Sequence, residues 1–179
     1  MNNSILLVVD VQTALIEAHP YNEQNVIDNI KKLISVARDN QKEVIYVRHD
    51  DGKGEDLEYG TDGWQIYCEI KPYNAEKVFE KQYNSAFLKT GLKEYLDSKK
   101  INTIILTGLQ TEYCIDTTCK AAFEHGYKII VPEETNTTFD NEYLTGEELY
   151  KFYNYKIWNN RFAKVLSVDE AIKILMYKQ

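Results

Sequence analysis

Five aliphatic residues in a row, Ile5-Leu6-Leu7-Val8-Val9, stop abruptly at Asp10. An unbroken apolar run without alternation predicts a strand covered on both faces. Residues 22 to 40 then repeat Val26, Ile30, Leu33, Ile34 and Ala37 at helical spacing. Val44-Ile45-Tyr46-Val47 predicts a second strand that stops near His49, and a polar stretch with Gly52, Gly54, Gly60 and Gly63 follows. That stretch has the length of an active-site loop. Val78-Phe79 opens a short third strand ending near Lys81, and Phe87, Leu88, Leu92 and Leu96 mark another helix. Residues 103 to 107 form the fourth strand. A helix opening at Thr111 turns Ile115, Thr118, Cys119 and Ala122 inward and ends at Gly126. Tyr127 to Val131 is the fifth strand, and an aromatic helix covers 141 to 157. Ala163 to Val168 is the sixth strand, before a closing helix with Ala171, Ile172 and Leu175.

Strands alternating with helices, each strand too apolar to face water on one side, predict a parallel sheet with helices on both faces. Right-handed crossovers turn this into a three-layer α/β sandwich, Rossmann-like, with six parallel strands. No internal repeat, low-complexity tract or linker divides the chain, so one domain over residues 1–179 is expected.

Composition narrows the partners. A net charge of -7 leaves no basic surface for nucleic acid or an anionic membrane. Lys99-Lys100 is a solvated helix end. Three cysteines are too few for a disulfide framework, and Cys114 and Cys119, five apart, point in different directions on one helix. No role for Cys68 is readable. Neither a signal peptide nor a bilayer-length apolar run is evident, so a cytoplasmic protein with reduced thiols is expected.

Ligands of parallel sheets bind outside the carboxyl ends of the strands. That edge collects Asp10, then His49-Asp50-Asp51, then Lys81, then Cys114. The turn into Cys114 is Gly108-Leu109-Gln110-Thr111-Glu112-Tyr113-Cys114, directly after Ile104-Ile105-Leu106. With Thr111 as N-cap, Cys114 is the third helical residue, where free N–H groups and the helix dipole favour a thiolate. Each residue also has a structural reading. Cys114 is then a small core residue, Asp10 a loop cap and Lys81 a strand-end lysine. Together a thiol, a carboxylate and an ammonium are the parts of a nucleophilic site. Cys114 attacks, Asp10 carries the proton and Lys81 stabilises the anion.

Asp10-Val11-Gln12 after an apolar strand, Lys81 followed by Ser85-Ala86-Phe87 and Thr90-Gly91-Leu92, and the Gly108–Cys114 run resemble the isochorismatase-like cysteine hydrolases over nearly the whole chain. Thr117, Ala121-Ala122 and Gly126-Tyr127 extend the most specific motif. The resemblance implies the six-stranded sandwich, a catalytic triad of Asp10, Lys81 and Cys114, and a cis peptide at Leu109–Gln110. It also implies an oxyanion hole from the backbone N–H groups of Gln110 and Cys114.

Nicotinamidases of that family carry a metal on Asp-x-His after the second strand plus a further histidine. Here the stretch reads Arg48-His49-Asp50-Asp51, with no histidine between 50 and 124 and three in all. A site with two imidazoles in this loop is absent, so no metal and no cofactor are expected. An intact Cys114 implies a hydrolase forming a thioester from a small amide or ureido substrate. The alternatives are isochorismatase-type vinyl-ether hydrolysis, or a thiol redox sensor or catalytically lapsed binding module.

Gln12, His49, Trp64, Phe87 and Tyr113 are the candidates to bind the substrate, as aromatic walls and polar tips. His49 bonds the substrate or ties down the loop; Trp64 is a lid or faces a partner. Glu55, Asp56, Glu58 and Asp62 form a solvated loop, or suit a neutral or cationic substrate. Tyr143, Tyr150, Tyr153 and Tyr155, with Phe152 and Trp158, do not fit one helical face. Some must face outward, which, with the family's habit, predicts a homodimer or homotetramer.

Overall fold

The computed structural model describes residues 3–73 and 75–177. Strand β1 (Ser4–Val9) is buried at all six positions. It lies between β2 (Val44–His49) and β4 (Thr103–Leu109), both parallel to it. With β3 (Lys77–Lys81), β5 (Lys128–Pro132) and β7 (Lys164–Leu166) the sheet runs β3-β2-β1-β4-β5-β7. A two-residue strand, β6 (Asn136–Thr137), also pairs with β4. The sheet is parallel and open, with the six expected strands and this two-residue seventh.

The unbroken apolar run of β1 is explained by the layers. Alternate side chains of a strand point to opposite faces. Ile5, Leu7 and Val9 join Leu92, Leu96, Ile115, Cys119 and Ala122 on one side. Those residues come from α3 (Leu92–Ser98) and from the helical segment that ends in α4 (Asp116–Glu124). Leu6 and Val8 join Ile27, Ile30, Leu33 and Ile34 of α2 (Glu23–Asp39) and Ala171 and Leu175 of α6 (Val168–Met176) on the other. A short helix, α1 (Thr13–Glu17), which the apolar pattern does not announce, follows β1 directly.

Several boundaries differ from the sequence expectation, and three of the shifts have a clear local reason. Phe87 and Leu88 lie in turns, because Lys89 and Gly91 both take positive φ, and α3 starts only at Leu92. The aromatic helix α5 (Gly146–Lys151) starts five residues later than expected, because the Thr145 hydroxyl caps the Glu148 N–H and Glu148 returns the bond. Beyond Lys151 it continues as a wide π-turn, residues Phe152–Trp158. That turn buries Trp158, whose indole N–H donates to Asp116 at 2.8 Å, while Tyr143, Phe152 and Tyr155 stay exposed. The last strand, β7, stops at Leu166, because Ser167 forms a second capping box with Glu170.

Where β1 meets β4, Val9 pairs with Gly108. Gly108 has φ +126°, and a Cβ there would stand 1.8 Å from the Val9 carbonyl oxygen. Only glycine lets the two central strands approach this closely. Among the described residues, no helix is long and apolar enough to cross a membrane.

Candidate active site

The carboxyl ends of the central strands converge. Asp10, next after β1, takes a left-handed φ of 54° and donates its N–H to the Val47 carbonyl at 2.8 Å. Its carboxylate is thereby held inside the sheet edge. Lys81 closes β3, and its side chain is fully buried. After β4 the Leu109–Gln110 peptide is cis, and Thr111–Ile115 forms a wide π-turn leading into α4. The Tyr113 and Ile115 N–H groups both donate to the Gln110 carbonyl. Thr111 is not the N-cap. Gln110 precedes the turn, and the Thr111 hydroxyl donates to Asn136 Oδ1 at 2.8 Å. Cys114 is accordingly the fourth residue of the turn.

Lys81 Nζ lies 2.6 Å from Asp10 Oδ2, 2.7 Å from His49 Nδ1 and 3.2 Å from Cys114 Sγ. An ammonium has three protons and no acceptor, so these contacts use its full donor capacity. His49 in turn reaches Asp51 Oδ1 through Nε2 at 2.8 Å. Asp10 Oδ1 is buried with no hydrogen-bond partner. Ligand atoms of Asp10, His49 and Cys114 lie within 4.8 Å of one another, an arrangement that suits a cation. The cation among them is the Lys81 ammonium.

Burial raises the Asp10 carboxyl above its usual value, and the attraction of Lys81 offsets only part of that. The Cys114 thiol is pushed up to about 12, first by burial and then by the Asp10 charge, with Lys81 pulling the other way. Burial and the Asp10 charge thus oppose the thiolate that the helical position favours, beside a carboxylate that binds protons more tightly than usual.

A cavity of about 140 Å³ opens onto these groups. Asp10, His49 and Cys114 line it together with Leu15, Leu57, Asn84, Gln110, Asp51 and Tyr113. Two of the five expected substrate contacts, His49 and Tyr113, are thus at the cavity. Gln12 is a fully buried strut. Its Nε2 donates to the His49 and Trp64 carbonyls, both at 2.9 Å, and its Oε1 accepts the His49 N–H at 2.8 Å. Trp64 is buried outside the cavity, with the Arg48 guanidinium 3.3 Å above its ring and Tyr59 4.5 Å away. Phe87 packs on Tyr127 and His125 and does not line the cavity. Asn84, with Oδ1 3.9 Å from Cys114 Sγ, and Leu57 escaped the sequence reading. Leu57 had a signal: it is the one apolar residue of Glu55-Asp56-Leu57-Glu58, and it is buried. Cys119 is buried in the core and Cys68 is exposed.

Residues 4–170 match the model of the isochorismatase domain. The chain belongs to the isochorismatase family. This isochorismatase-family hydrolase is 27% identical over 176 residues to the family protein YrdC of Bacillus subtilis (strain 168), covering 93% of each chain. It is 31% identical over 138 residues to a streptothricin hydrolase of Streptomyces noursei, covering 75% of this chain but 50% of that one. A crystal structure of an isochorismatase family protein superposes with a TM-score of 0.86 at 30% identity, over 93% of this chain and 99% of the other.

Proposed function

We propose that this hydrolase cleaves a carbon–nitrogen bond, amide or ureido, of a small molecule through a thioester on Cys114. The observation that carries this is one buried ammonium, Lys81, bonded at once to Asp10 and to Cys114 Sγ. Relatives named N-carbamoylsarcosine amidase and nicotinamidase 3 support the bond class.

In the proposed cycle the thiol proton passes to Asp10 as Sγ attacks the carbonyl carbon, and Lys81 holds the sulfur's developing charge. Asp10 suits this role because its raised proton affinity makes it a stronger base than an ordinary carboxylate. Lys81 is no base, since all three of its protons are engaged. The tetrahedral oxyanion takes the Gln110 and Cys114 N–H groups; the Cys114 N–H lies between two N–H groups already committed to the Gln110 carbonyl. Collapse breaks the C–N bond, and Asp10 returns its proton to the departing nitrogen. A water, deprotonated by Asp10, then attacks the thioester carbonyl, and Sγ leaves with that proton. A cavity of about 140 Å³ admits only a small reacting end. Asp51 and Asn84 in its wall suit N–H donors on the substrate. The ammonium at the position a cation would take supports a metal-free reaction.

Ammonia release from a panel of small amides and ureido compounds, with isochorismate assayed separately, tests the reading. Release by the natural chain, none by Cys114→Ala, and a substrate-derived mass on Cys114 are expected. Turnover by Cys114→Ala would sink the covalent route. The exposed aromatic side chains Phe152, Tyr155 and Tyr143 support a homo-oligomer, which analytical ultracentrifugation would find as a dimer or tetramer.

A further inference from the structure

An imidazole has two nitrogens and, when neutral, one proton between them. At His49 both nitrogens are engaged, Nδ1 with Lys81 Nζ at 2.7 Å and Nε2 with Asp51 Oδ1 at 2.8 Å. An ammonium can only donate, so Nδ1 is the bare nitrogen and Nε2 carries the proton that Asp51 accepts. The backbone of His49 is held as well. Its N–H and its carbonyl are both bonded to the buried Gln12 amide. Held at four points, His49 has no polar atom left over for a substrate.

We propose, resting on the cysteine-hydrolase function above, that His49 is a positioning residue. Its Nδ1 holds the Lys81 ammonium between Asp10 and Cys114, and Asp51 holds His49 in the one tautomer that can do so. The need for a third acceptor follows from the charge movement. As the thiol proton crosses to Asp10, negative charge passes from the carboxylate to the sulfur. A flexible lysine bonded to those two groups alone would drift toward whichever is charged. At rest Nζ is in close contact with both, 2.6 Å from the Asp10 oxygen and 3.2 Å from the larger Cys114 sulfur. A neutral imidazole does not change charge during the step. It keeps Nζ within reach of the sulfur before the thiolate exists, so no reorganisation is required when it forms.

The test compares His49→Asn, His49→Leu and Asp51→Ala. One readout is the rate at which iodoacetamide alkylates Cys114 at neutral pH, located by peptide mass spectrometry so that exposed Cys68 is counted apart. The other is kcat and KM on whichever amide of the panel the natural chain hydrolyses fastest. The asparagine amide oxygen stands where Nδ1 stood and still accepts from Lys81; leucine fills the volume and accepts nothing. His49→Leu is expected to lower both kcat and the alkylation rate by roughly 10–100-fold with KM little changed, the scale typical of lost outer partners of an active group. His49→Asn is expected to recover most of that loss, and Asp51→Ala to fall between them. Equal losses in the Asn and Leu variants would overturn the positioning role, as would natural alkylation rates in His49→Leu. A rise in KM at unchanged kcat would overturn it too, by making His49 a substrate contact. Asp51 is half exposed, so its variant keeps the test open if His49→Leu does not fold. Failure of the underlying function looks different: Cys114→Ala would turn over while the alkylation pattern still followed His49.

Discussion

Two lysine–aspartate pairs in this molecule have nearly the same length and opposite consequences. Lys81 sits 2.6 Å from Asp10, and Lys93 sits 2.5 Å from Asp97 on the surface of α3. The first pair is 0% and 2% exposed, the second 32% and 54%. Asp97 titrates below its usual value, because the hydrogen bond from Lys93, helped by the Tyr127 hydroxyl, outweighs a small desolvation. Asp10 titrates above it, because removal from water outweighs the same kind of partner. Contact distance therefore does not decide what an ion pair does; the water around it does. The surface pair settles an anion, whereas the buried pair maintains an uncomfortable one, ready to take a proton.

The sharpest way to break this comparison is Lys81→Ala. It leaves Asp10 buried without its partner, so the free energy of unfolding should fall by about 3–5 kcal/mol in urea melts, and turnover should vanish. Next, the double variant Asp10→Asn/Lys81→Met removes both charges at similar volume. It should recover most of that stability while staying inactive, because an uncharged pair avoids the desolvation penalty. A double variant as unstable as Lys81→Ala would mean that the pair is a net stabiliser.

A smaller effect lies in pH. A folded value raised above 3.8 means that the native state keeps the Asp10 proton longer than the unfolded chain does. The Asp10 contribution then favours folding in acid and is lost as pH rises through the folded value. Asp97, depressed, contributes above its unfolded value, and that contribution is lost as pH falls through the folded one. Urea midpoints followed from about pH 3 to pH 7 should show Asp10→Asn gaining on the natural chain as pH rises, and Asp97→Asn falling behind. The smallest effect belongs to Lys93→Ala, whose urea midpoint should stay within the error of the natural chain.

The same contrast explains what could be read before the structure was known. Elements buried on both faces or on one stripe declare themselves, because burial dictates residue type position by position. The β1 run and the α2 stripe are examples, and both emerged with their boundaries within a residue or two. The convergence of Asp10, Lys81 and Cys114 was legible because parallel topology sends every strand end to one edge. Local hydrogen bonds were harder. Thr145-Gly146-Glu147-Glu148 is a capping box in plain view, yet the aromatic pattern pulled the expected helix start upstream of it. The strand β6 consists of Asn136 and Thr137, two polar residues too few to make an apolar or alternating pattern. The pocket wall was least legible. Whether Gln12 or Trp64 lines the cavity depends on how residues 50–67 fold back, and Phe87 is turned onto Tyr127 and His125. In that fold Gln12 became a clamp and Trp64 a platform for Arg48.

Gly108 ties inheritance to architecture. Its missing Cβ sets the spacing of β1 and β4, and these strands deliver Asp10 and the turn that carries Cys114. Any side chain there collides with the Val9 backbone, not with a neighbour that a later substitution could trim. A lineage carrying such a change would have no gradual route back through its pocket residues, because the sheet and the reacting groups would part in one step.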